Sequence, residues 1–121
     1  MSERKKGNYF GTEIDQRWSR RFREDGFFAR GNGELWFEEG GLFFRRFLTK
    51  TPLEIGWDEM TGARLGRWHS GRWGAGRPIL KIDFRRHGQE LSAGFLLSKS
   101  WPQMEAFAAD LNRKIGDATD P

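Results

Sequence analysis

The residues with the clearest capacity for binding chemistry lie between positions 64 and 77. Gly-Arg pairs begin at residues 66, 71 and 76, and residues 61–77 contain four arginines and no acidic residue. Guanidinium groups bind phosphates and carboxylates, while indole rings stack on bases, sit at membrane interfaces and dominate many protein interfaces. This stretch, the Arg/Trp loop, is the predicted ligand or partner site, with Arg64, Arg67, Trp68, His69, Arg72, Trp73 and Arg77.

Residue types alone leave several partners open for the Arg/Trp loop. Four arginines near an anionic membrane contribute about 1 kcal/mol each, so charge by itself gives only weak binding. Phosphate contacts to nucleic acid would be similarly weak and sensitive to salt. The leading hypothesis is a non-enzymatic module that engages a protein partner or an anionic membrane surface. The alternatives are single-stranded nucleic-acid binding, a structural or homo-oligomer-forming role, and a loop whose tryptophans fold back under stacked arginines.

The side chains needed for catalysis or metal binding are scarce. The chain has no cysteine and two histidines, His69 and His87, and neither has a serine or an acid at the spacing of a known nucleophilic motif. Adjacent acids such as Asp58 and Glu59 are typical of turns. We therefore predict no catalytic residue, no metal site and no cofactor.

A secondary basic surface is predicted near the N-terminus. An apolar side chain recurs every fourth residue from position 14 to position 22, which is the spacing of one helix face. Thr12 can cap such a helix and Gly26 can end it. We expect a short amphipathic helix within residues 12–26 that packs on the domain as a lid through Trp18. Its polar face would carry Arg17, Arg20 and Arg21.

From residue 27 onward, short apolar runs separated by glycine-rich turns predict antiparallel strands. Residues 79–86 alternate between apolar and polar side chains, as in a half-buried strand. The Arg/Trp loop shows no such period and is predicted to be a long hairpin loop, which in a small domain is often functional. The expected strands are residues 27–29, 34–38, 42–48, 53–57, 63–67, 79–86 and 90–97.

The last element is predicted to be a helix that covers the open side of the sheet. Ser100 is a suitable N-cap with Gln103 at the capping-box position, and Gly116 can end the helix. The apolar stripe of this helix comprises Trp101, Met104, Phe107, Ala108, Leu111 and Ile115.

This order of elements resembles the pleckstrin-homology-like (PH-like) superfold, and within it the small bacterial PH-like or GRAM-like domains. The resemblance covers residues 27–115 and rests on the patterns at residues 33–37 and 53–60 and on the helix from Trp101. It implies a mainly β (α+β) domain: a bent antiparallel sheet or partly open barrel of six to seven strands, closed by the C-terminal helix. It also implies loops at the other end able to bind lipid headgroups or peptides.

The expected organisation is one domain at residues 27–116, preceded by a lead and short helix at residues 1–26 and followed by a polar tail at residues 117–121. A composition of 15% aromatic and 31% charged residues is typical of a globular chain. No signal peptide and no apolar run long enough to span a membrane are seen. We therefore expect a cytoplasmic protein, with a peripheral position at the inner membrane surface as an alternative.

Overall fold

The computed structural model describes residues 4–27, 30–47, 49 and 51–119. These residues form ten strands and one helix, which in chain order are β1 Lys5–Ile14, β2 Arg17–Arg21, β3 Gly31–Glu38, β4 Gly41–Arg46, β5 Leu53–Gly56, β6 Met60–Gly66, β7 Trp68–His69, β8 Arg72–Trp73, β9 Ile79–Arg86, β10 Gln89–Leu96 and α1 Trp101–Thr119. The fold is thus mainly β with a C-terminal helix, as predicted.

The main sheet is open and antiparallel, with the strand order β5-β4-β3-β1-β10-β9-β6, and β2 pairs with β1 outside this path. Strand β1 lies at the centre, between β3 on one side and β10 on the other. The register of β1 against β10 shifts between Tyr9 and Gly11. Gly11 has φ +114°, which a glycine adopts readily, so the strand can bend there.

The core lies on the face of the sheet that the helix covers. Alternate residues of β9 and β10 are buried there, together with the apolar stripe of α1. Asn112 fastens the helix to β6, because its side-chain amide accepts from Ala63 N at 2.8 Å and donates to Ala63 O at 2.9 Å. Ser100 Oγ accepts a hydrogen bond from Gln103 N at 3.2 Å, so the predicted N-cap forms. The helix continues past Gly116 to Thr119.

The predicted N-terminal helix is wrong. Residues 5–14 and 17–21 form a β-hairpin whose turn residues, Asp15 and Gln16, have φ of 54° and 57°. Positive φ at both positions is typical of the tight hairpin turn that matches strand twist. The fourfold spacing of Ile14, Trp18 and Phe22 therefore does not mark a helix face. Ile14 and Phe22 join the core, whereas Trp18 is 70% exposed and does not pack on the domain as the predicted lid.

The other predicted elements form with small changes. The hairpins at β3–β4 and β9–β10 lie within one to three residues of their predicted bounds. The main sheet has eight strands rather than six or seven, because β1 and β2 replace the N-terminal helix. Of the strand expected at residues 27–29, only Phe27 lies within the described residues, and it is in a turn. No helix among the described residues has the length and apolarity to cross a membrane.

Candidate binding site

The Arg/Trp loop contains a second, two-stranded sheet of its own, the β7–β8 hairpin. Ser70 and Gly71 form its turn with φ of 53° and 81°, the combination required by a two-residue hairpin turn. Trp68 pairs with Trp73, and the next pair is His69 with Arg72. Because cross-strand partners point to the same side of a hairpin, each pair occupies one face.

The face with His69 and Arg72 packs on the sheet. His69 is fully buried, and its Nε2 lies 3.0 Å from Gly11 O. The imidazole lies against the glycine of β10: a methyl group at Gly94 would be 2.3 Å from His69 Cδ2. Arg72 extends over the Phe10 ring, with Cζ 4.4 Å from the ring centroid. These contacts dock the hairpin over the centre of the sheet.

A buried carboxylate completes this docking. Glu13 is 4% exposed, and its Oε2 accepts a hydrogen bond of 2.6 Å from Ser70 N. Its Oε1 lies 3.7 Å from His69 Nδ1. Gly11 O can only accept, so Nε2 carries the proton in the neutral imidazole. Burial lowers the pKa of His69 to about 4, and the Glu13 carboxylate offsets only part of that effect, so the imidazole is neutral at pH 7.

The opposite face of the hairpin presents its two tryptophans to solvent. Trp68 is 60% exposed and Trp73 is 58% exposed, and their ring centroids are 6.2 Å apart at an interplanar angle of 29°. Trp18 of β2 approaches the turn of this hairpin, since a methyl group at Gly71 would lie 3.4 Å from Trp18 Cε3. We call Trp18, Trp68 and Trp73 the Trp surface. Three exposed indoles on two neighbouring hairpins form an unusual apolar patch.

A cavity of about 510 Å³ opens beside the Trp surface and is lined by Glu13, Gln16, Trp18, Arg64, Trp68, His69, Gly71 and Lys81. Its size is typical of a ligand pocket. Lys81 is half-buried, and burial lowers its pKa despite the nearby Glu13 carboxylate. Arg64 is held by the outer face of the sheet, since Nε and Nη2 donate to the two Asp83 oxygens at 2.9 and 3.1 Å. The cavity therefore brings together two indole rings, the cationic side chains of Arg64 and Lys81, and the Glu13 carboxylate.

The remaining predicted arginines are placed singly around the hairpin. Arg67 is exposed and stacks over Trp101, with Cζ 4.7 Å from the ring centroid. Arg77 is exposed, and its Nε donates to Gly74 O at 2.9 Å within the same loop. The predicted fold-back of Trp68 and Trp73 under arginines is not seen, because the arginines cover other rings and the two indoles remain exposed.

The predicted secondary basic surface lies on β2 rather than on a helix. Arg17 and Arg20 are exposed there, and Arg20 Nη1 is 3.4 Å from Asp15 Oδ2. Arg21 is half-buried and points toward Gly11. Arg17 and Arg20 are thus exposed on the strand that carries Trp18, whereas Arg21 lies beside the β1 bulge at Gly11.

Several residues of the site were missed in the sequence. Glu13, Gln16 and Trp18 were assigned to a helix, and the outward side of the β9 pattern predicted Lys81 and Asp83 only as solvated groups. The alternation in residues 79–86 shows which side chains leave the core. No local signal shows that the β7–β8 hairpin covers that outer side.

The described residues contain no group of three or more histidine and acidic side chains that could hold a metal ion. The His69 side chain lies between the β7–β8 hairpin and the sheet and has no exposed surface. Its imidazole therefore fixes the position of the hairpin and does not face the cavity opening. His87 is exposed in the turn after β9, where Nε2 lies 3.2 Å from Asp25 Oδ2. The exposed indoles and the cations around the cavity are suited to recognition by stacking, charge and shape.

The sequence matches no protein-family model, and no curated protein matches it.

Proposed function

We propose that this chain is a non-enzymatic binding module of PH-like type and that the Trp surface engages a protein partner. The observation that carries this proposal is the outward orientation of Trp68 and Trp73 on a hairpin whose other face is fixed to the sheet. Tryptophan is enriched at the energetic centres of protein interfaces. Holding two indoles in place before binding reduces the entropy lost on association.

The arrangement of secondary structure supports the PH-like part of this proposal. A bent antiparallel sheet with a single amphipathic helix after its last strand is what the resemblance implies. Here β1 lies between β3 and β10 and its register against β10 shifts before Gly11, where the strand can bend, and α1 follows β10 and covers the core. The Trp surface joins Trp18 of β2 to the β7–β8 hairpin, which is docked on the outer side of this sheet.

The contacts of the arginines favour a protein over an anionic membrane. Among the arginines of the Arg/Trp loop, Arg64 is neutralised by the Asp83 carboxylate. Anionic lipid headgroups would therefore meet one unpaired cation fewer than the sequence predicts, a loss of about 1 kcal/mol. The indoles remain as the main exposed feature, and a protein interface uses them with little added charge.

Replacing both outward indoles should abolish partner binding without unfolding the domain. Trp68→Ala/Trp73→Ala removes side chains that are mostly exposed, so circular dichroism and the melting temperature should change little. If each indole contributes about 2 kcal/mol, the joint loss of about 4 kcal/mol should weaken binding of a purified partner roughly 700-fold. The measurement is affinity capture from cell extract by wild type and variant, followed by titration of the captured protein.

Phe47→Ala is the matched control, because Phe47 is an exposed aromatic side chain outside the Trp surface. It should retain every protein that depends on the Trp surface. Capture of the same proteins by the double variant would count against the proposal. A second experiment is co-sedimentation with phosphatidylserine vesicles. If the wild type co-sediments and the double variant does not, the Trp surface binds an anionic membrane and not a protein partner.

A further inference from the structure

Four arginines from separate parts of the chain converge on the outer side of β1. Arg21 and Arg23 lie at the end of β2 and just after it, Arg30 precedes β3, and Arg72 belongs to β8. A methyl group at Gly11 would lie 3.2 Å from Arg21 Nε and 3.3 Å from Arg30 Nε. Two guanidinium groups therefore meet at one point above the β1 bulge.

Hydrogen bonds to the β7–β8 hairpin hold Arg30 in this group. Its Nη2 donates to Ser70 O at 2.9 Å and approaches Ser70 Oγ at 3.2 Å. Arg72 follows Ser70 by two residues and lies over the Phe10 ring on the same face of the sheet. The Nε of Arg30 is buried and has no hydrogen-bond partner among the described residues. A donor in that condition normally has an acceptor.

Two other half-buried arginines have a carboxylate partner. Arg64 pairs with Asp83, and Arg86 pairs with Glu59. In the part of the chain that the structure describes, neither Arg30 nor Arg72 forms an ion pair. Burial lowers the pKa of Arg30, and the neighbouring Arg21 and Arg72 charges lower it further. Like charges held together in a partly desolvated site repel each other more strongly than in bulk water.

We propose that this arginine cluster, Arg21, Arg30 and Arg72 with Arg23 at its edge, binds a phosphate or sulfate group. Planar guanidinium groups match the oxygens of such an anion and form charge-assisted hydrogen bonds with it. A bound oxyanion would accept from Arg30 Nε and would offset the repulsion among the cations. This site goes beyond the proposed protein-binding function, since it uses no residue of the Trp surface.

The test is the melting temperature in phosphate, pyrophosphate and sulfate, with sodium chloride adjusted to keep the ionic strength constant. The wild type should show a saturable rise, reaching about 10 °C at a hundred times the half-saturating concentration. Glycerol 3-phosphate forms a separate arm. An equal response to it would assign the site to a phosphate monoester, and a response to the inorganic ions alone would assign it to a free anion.

Arg72→Gln is the test variant, because it removes one guanidinium group from the proposed anion site. Arg72 is exposed, and its loss leaves the hydrogen bonds between Arg30 and Ser70 in place. Arg77→Gln is the matched control, with the same loss of charge outside the cluster. Arg72→Gln should require at least tenfold more anion for the same rise, whereas Arg77→Gln and Trp68→Ala/Trp73→Ala should respond like wild type. An unchanged response of Arg72→Gln, an equal loss in Arg77→Gln, or no rise in the wild type would each overturn the proposal.

Discussion

Gly94→Ala should destabilise the protein by about 3 kcal/mol, the upper part of the usual range for overpacking a buried site. The added methyl group would lie 2.3 Å from Cδ2 and 2.6 Å from Cγ of the buried His69 ring. The ring cannot turn aside while Nε2 is bonded to Gly11 O, so the β7–β8 hairpin must lift from the sheet. Urea unfolding measures the loss, and altered tryptophan fluorescence should report the displaced hairpin.

Gly62→Ala is the matched control, because it also adds a methyl group within a strand of the main sheet. That methyl group would meet only Asn112 Oδ1, at the ordinary contact distance of 3.7 Å. The free energy of unfolding of Gly62→Ala should stay within about 0.5 kcal/mol of the wild-type value. If the clash with His69 is the cause, His69→Ala should recover part of the stability lost in Gly94→Ala, as a double-mutant cycle would show. Strict additivity of the two changes would refute this explanation.

The second large effect is a loss of stability in mild acid caused by His69. Burial lowers its pKa from 6.5 in the unfolded chain to about 4 in the folded one. Between these values the unfolded chain binds a proton that the folded chain does not, so stability falls as pH falls from 6.5 to 4. The contribution should be about 2 kcal/mol by pH 5. Above pH 6.5 both states are neutral, and the effect disappears.

The charged groups around His69 set the size of this effect. Glu13 favours the imidazolium, whereas Lys81 and Arg64 oppose it. His69→Gln removes this titration. Between pH 7.5 and pH 5 the free energy of unfolding of the wild type should therefore fall by about 2 kcal/mol more than that of His69→Gln. His87→Gln is the control variant, because it removes the other imidazole of the chain, which is exposed. Parallel pH profiles for wild type and His69→Gln would show that the buried imidazole does not control acid stability.

Elements whose signals are local in the chain were predicted well. The alternation in residues 79–86 and the turn at His87–Gly88 predict the β9–β10 hairpin, because both strands and their turn are contiguous. The Ser100 cap and the apolar stripe predict α1 for the same reason, since capping and burial periodicity are read within one helix. The coarse class of the fold follows from these elements.

The N-terminal segment was predicted wrongly because its partners are distant. Tyr9 pairs with Gly31, and Asn8 pairs with Leu96, so β1 is stabilised by partners 22 to 88 residues away. Its turn at Asp15–Gln16 contains no glycine, the usual signal of a tight hairpin turn. A fourfold spacing of apolar residues then indicated a helix. Long-range pairing overrides such a local pattern.

For the binding site, the sequence alone determined the residue types: an acid-free stretch with arginines, His69 and two tryptophans, placed in a connection between strands. Only the tertiary structure decided which of them face outward. Docking of the hairpin on Gly11 and Gly94 buries His69, so the adjacent cross-strand pair, Trp68 with Trp73, must face solvent. The cavity lining and the arginine cluster likewise join side chains of β1, β2, β6, β7, β8 and β9. Such contacts depend on how separate strands pack, and no spacing along the chain encodes them.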